Sequence, residues 1–137
     1  MTGSIPTSGQ LERTLSQRVQ ALFRDQMGHR LERVTCQLLE QKIVILLENS
    51  VTQPEQLLAN SGKEELVEKV HLTLNEAIEP QIKELIEEVV GVSVVDLLSE
   101  AKLETERTGM IAVLAEAPQV SDRTTNSKPA TRDRRAS

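Results

Sequence analysis

The chain predicts an α+β domain, with helices packed on a four-stranded antiparallel or mixed sheet. Two observations carry this. Apolar residues recur at three and four residue steps in the helical segments but alternate along the strands, and Thr/Ser-x-x-Glu capping boxes mark where two helices open. The expected order is helix, β-hairpin, short helix, long kinked helix, β-hairpin. One domain spans residues 10–117, flanked by a disordered N-terminus over 1–9 and a disordered basic tail over 118–137.

The first helix is expected over residues 10–27. Leu11, Leu15, Val19, Leu22, Phe23 and Met27 fall on one face, and Gly28 supplies a left-handed stop. Residues 33–39 then alternate, with Val34, Cys36 and Leu38 on one side and Thr35 and Gln37 on the other, as in a half-buried strand. Glu40-Gln41 forms the turn, although it lacks the Asn-Gly or Gly that tight hairpins prefer. The returning strand, 42–48, is apolar on both faces: Ile43, Ile45 and Leu47 on one, Val44 and Leu46 on the other. A small domain struggles to cover both, so this strand suggests a homodimer.

Thr52-Gln53-Pro54-Glu55 has capping-box spacing, and Pro54 is tolerated because the first helical N–H groups lack intrahelical partners anyway. A short helix to about residue 59 follows. Ser61 with Glu64 suggests a second capping box, opening a long helix to about residue 90. Its apolar stripe is Leu66, Val67, Val70, Leu74, Ile78, Ile82, Leu85, Ile86 and Val89. Pro80 is expected to kink it near Glu76, since a mid-helix proline removes one hydrogen bond at a cost of roughly 3 kcal/mol. Gly91 ends the helix, and strands over 92–98 and 108–115, joined by a polar connection, complete the order.

Composition narrows the function. Aromatic residues make up only 1% of the 137 residues, so the core is aliphatic and the aromatic faces that commonly hold sugars, bases or quaternary amines are lacking. Residues 40–117 carry sixteen acidic and six basic side chains, an acidic body that argues against nucleic-acid binding. Residues 118–137 carry five basic and two acidic, a balance that reads most simply as a solvated tail. Cys36 is the single cysteine, consistent with a reducing cytoplasm. The longest unbroken apolar run, 43–47, falls far short of the ~20 residues that cross a bilayer, so no membrane insertion is expected.

Nothing in the pattern assembles a catalytic centre. His29 and His71 have no His or Cys partner at metal-ligand spacing, and Cys36 reads as a small buried hydrophobe. Glu64-Glu65 and Glu87-Glu88 are adjacent on a helix and point about 100° apart, so neither pair converges on one substrate atom. No phosphate loop, nucleophile elbow or zinc pattern is present. The expectation is therefore a protein-binding module that is not an enzyme and uses no cofactor or metal. Leu11, Val19 and Phe23 on the first helix, with Val44 and Leu46 on the hairpin, are its candidate contact or support residues.

Val51-Thr52-Gln53-Pro54-Glu55 and Gly91-Val92-Ser93-Val94, taken with the element order, resemble the bacterial MpsC-like family over about residues 10–116. The family's Gly-Lys-Gly-Pro-like turn is replaced here by Gly28-His29-Arg30-Leu31, so no role of that turn is carried over. Val34-Thr35-Cys36-Gln37, Glu79-Pro80-Gln81 and Lys102-Leu103-Glu104-Thr105 further resemble the gas vesicle protein V branch. That closeness implies a non-enzymatic accessory factor, cytoplasmic or gas-vesicle-associated, that assembles or stabilises vesicles by binding other gas vesicle proteins. The parent family implies the alternative, a soluble subunit of a membrane ion or inorganic-carbon transport system.

Overall fold

The computed structural model describes residues 5–121. Of the termini expected to be disordered, residues 1–4 and 122–137 lie outside the described residues. The elements are α1 (Ser8–Met27), β1 (Arg33–Leu39), β2 (Lys42–Glu48), α2 (Gln53–Asn60), α3 (Glu64–Val90), β3 (Val94–Lys102) and β4 (Arg107–Leu114).

Local chemistry explains most boundaries. α1 opens two residues before the expected Gln10 because Thr7 and Gln10 form a capping box of their own, each side chain bonded to the other's backbone N–H at 3.1 and 2.9 Å. Gly28 closes it in the left-handed region. The Thr52–Glu55 box opens α2 as expected. The second box does not form. Ser61 closes α2 instead, donating its hydroxyl to the Leu57 carbonyl at 2.8 Å, and α3 begins after Lys63 without a side-chain cap. α3 then runs unbroken past Pro80, which lies on its exposed side one turn beyond the equally exposed Glu76. On an exposed helix side a carbonyl deprived of its N–H partner can bond to water, which softens the cost of a proline.

All strand pairs are antiparallel, in the order β1-β2-β4-β3, so β2 and β4 are central. The Glu40-Gln41 turn sets Leu39 opposite Lys42, with Glu40 at φ 56°. β3 extends four residues past the expected 98, to Lys102, which leaves a short turn whose Glu106 also takes a positive φ.

Pairing creates two unlike faces. On the inner face Cys36, Ile45 and Met110 form one cross-strand row, and Ile43 with Ala112 another. α1 lies over β1 and beside α3, which packs along β3. Leu15, Val19 and Phe23 from α1 and Ile78, Ile82 and Ile86 from α3 close the aliphatic core. Within α3 the buried stripe differs from the expected one at its start: Leu66 is 46% exposed, whereas His71 is buried. On the outer face no element among the described residues covers the sheet, and Val44, Ile111 and Leu98 sit side by side across β2, β4 and β3.

The two-sided apolar pattern of β2 divides between these two faces. Its inner side fills the core, while Val44 is 38% exposed and Leu46 half-buried on the outer face.

Candidate functional site

The outer sheet face is the first candidate surface. Leu39, Val44, Leu98 and Ile111 are exposed, with Leu46 and Val113 half-buried among them. Charges frame the row, including Lys42, Glu48, Arg107 and Lys102 on the same face. Of the five candidate contact residues, only Val44 and Leu46 reach this surface. Leu11, Val19 and Phe23 are buried at 6%, 1% and 2% exposure and face the core.

The second candidate lies where α2 and α3 meet the far end of the β3–β4 hairpin. Sequence reasoning treated Glu55 only as a cap and found no metal-ligand partner for His71; the fold brings the two together. The His71 ring bonds through Nδ1 to Glu55 Oε2, while Glu55 Oε1 accepts from the Thr52 backbone N–H at 2.9 Å and from its hydroxyl at 2.7 Å. Both side chains are buried. Burial pushes the Glu55 carboxyl up, but the hydrogen bonds from His71 and Thr52 outweigh it and hold the group below its ordinary value. A carboxylate accepts only, so His71 Nδ1 is the donor, and Nε2 has no partner among the described residues.

Around this pair, the Ser50 and Thr108 hydroxyls lie 2.9 Å apart, and Asn75 donates to Ser99 Oγ at 3.3 Å. His71, Asn75 and Ser99 also line an open groove of about 710 Å³ between the first half of α3 and the end of β3. The only sequence sign of this site was His71 falling four residues after Val67 on the apolar stripe, a place where an ionisable group demands a partner.

Cys36 is not part of either surface. It is buried beneath α1; burial and the nearby Glu12 carboxylate push its thiol up and outweigh the lowering effect of a hydrogen bond with Ser16. We expect the folded chain to react with a thiol reagent at pH 8 at least about tenfold more slowly than the urea-unfolded chain, as a covered, protonated thiol should. Equal rates would show that the site is open. Nor does any group of three or more His, Cys, Asp or Glu among the described residues stand ready to hold a metal ion.

Fold and surfaces together make an aliphatic α+β domain with one sheet face uncovered among the described residues and a groove beside a buried carboxylate–imidazole pair. Among the described residues no helix is long and apolar enough to cross a membrane. The chain belongs to the MpsC family, whose model matches residues 7–116 and is described as a Na+-translocating membrane potential-generating system. No curated protein and no solved structure matches it.

The family description overturns the functional expectation drawn from the finer resemblance. It points to a sodium-translocating membrane system in place of gas vesicle assembly, and to components of such a system in place of other gas vesicle proteins. The motifs behind the earlier expectation are strand, kink and turn segments of a shared fold, and such segments specify architecture rather than partner.

Proposed function

We propose that the chain is a non-enzymatic, cytoplasmic subunit of a Na+-translocating membrane system, holding a membrane-embedded partner through its outer sheet face. The family match over residues 7–116 carries this reading. Two structural features support it. None of the described helices is suited to span the bilayer, so translocation would fall to another component. The Val44–Ile111–Leu98 row offers apolar area framed by charge, the usual make-up of a protein contact surface. The closeness to gas vesicle protein V remains a sequence likeness in three short motifs, from which no vesicle role is drawn.

The test is genetic and electrical. Deleting the gene in its host should abolish the Na+-dependent membrane potential of everted vesicles, read with a potential-sensitive dye, and the wild-type gene should restore it. Val44→Asp with Ile111→Asp should fold but fail to restore it, because two carboxylates in an apolar contact cost several kcal/mol of association, on the order of 2–5. An undiminished potential in the deletion strain would overturn the proposal.

A further inference from the structure

Strand register divides the outer sheet face into rows that run across the strands. Val44, Ile111 and Leu98 form the apolar row. Arg33, Glu48, Arg107 and Lys102 form another, three cations to one carboxylate. Within it Arg107 Nε pairs with Glu48 Oε1 at 3.7 Å, whereas Arg33 and Lys102 are exposed and make no ion pair among the described residues. A chain that carries sixteen acidic and six basic side chains over residues 40–117 thus presents a cationic line on this face. The row between the two holds a hollow. Leu46, Gly109 and Glu100 lie side by side there, and a Cβ on Gly109 would meet nothing within 4 Å. The Gly109 backbone is not left-handed, so no turn requires a glycine at this place in a central strand. A glycine there leaves room for another backbone to come close.

We propose that this face takes an amphipathic helix of the partner, laid across the strands over Gly109. Its apolar stripe meets Leu46, Val44, Ile111 and Leu98, and acidic residues along one flank meet Arg33, Arg107 and Lys102. The apolar and cationic rows are four residues apart along each strand, about 13 Å, which is close to the width of one helix with its side chains. That the helix belongs to a membrane-embedded partner rests on the role proposed above; its chemistry rests on the three rows. An anionic bilayer surface fits this face less well. Holding one takes clusters of roughly 4–8 cations, and Glu48 and Glu100 on the same face would be repelled by it. A helix avoids that repulsion because it can confine its carboxylates to one flank.

Two labelled synthetic peptides of about 18 residues, each able to form a helix of ~27 Å, provide the test. Both carry a leucine stripe; one has glutamates along a single flank and the other has lysines there. With the full-length chain at low salt, fluorescence anisotropy should show the glutamate peptide binding at least about tenfold more tightly, and the difference should narrow in about 0.5 M NaCl as charge is screened. Arg33→Glu with Lys102→Glu, both exposed positions, should invert the preference. Gly109→Val fills the hollow with a side chain that strands accept, so it should unfold no earlier than wild type yet bind the glutamate peptide at least about fivefold more weakly. These readings are independent of the membrane-potential assay: a chain that restores the potential but ignores both peptides loses the helix contact and keeps its place in the translocating system. Equal binding of the two peptides, a preference that the charge reversal leaves unchanged, or tighter binding to phosphatidylglycerol vesicles than to the glutamate peptide would overturn the proposal.

Discussion

Replacing Glu55 with alanine is expected to destabilise the domain by about 3–5 kcal/mol, the range found when one partner of a buried pair is removed. The physical reason is that three donors lose one acceptor in the interior: the Thr52 N–H, the Thr52 hydroxyl and the His71 ring. By contrast, breaking the exposed Arg18–Glu88 pair, whose side chains are 46% and 56% exposed, should cost no more than about 1 kcal/mol. Urea unfolding at pH 7 reads both differences. A Glu55→Ala loss no larger than that of the surface pair would show that the buried contact contributes little.

The same residue gives a pH signature. Its carboxyl lies below the ordinary value of 4.5 in the fold, so the stability it supplies is fully present above 4.5. That stability is lost as pH falls through the lowered, folded-state value. Glu55→Gln cannot take part in this titration. The gap between wild type and Glu55→Gln should therefore shrink as pH falls below 4.5. A gap that widened in acid would contradict the assigned direction.

Ile82→Ala, at the centre of α3, is expected to cost about 2–5 kcal/mol, because it opens a cavity in the aliphatic layer between helix and sheet. Ile82 is fully buried and belongs to the same cluster as Ile45, Ile86 and Leu114. Leu98→Ser, on the outer face where the side chain is 52% exposed, should change stability by less than about 1 kcal/mol. The pair tests which side of the sheet holds the core. Comparable losses from both substitutions would mean that the outer face is covered in solution.

Fold class and element order were legible in the chain because they depend on local chemistry. Alternation in residues 33–39, the Thr52–Glu55 cap and the glycines at 28 and 91 act within a few residues of themselves. Misreadings arose where two local rules compete. Ser61 could cap the following helix or close the preceding one, and only the path of the chain between α2 and α3 selects the second. Similarly, His71 lies within the apolar stripe of α3 while Leu66, about 140° away on the helical wheel, lies at its edge, so burial follows position and not residue type.

The chain by itself determined that this is an aliphatic α+β domain without a catalytic motif, since periodicity, capping and composition are properties of short stretches. Tertiary structure decided the rest. It placed β2 beside β4, which turned a two-sided apolar strand into a core row and an open row. It also brought Glu55 within hydrogen-bonding reach of His71, sixteen residues along the chain, and set a groove beside them. A buried polar pair and an uncovered face are both relations between segments distant in sequence, and such relations exist only once the backbone has packed.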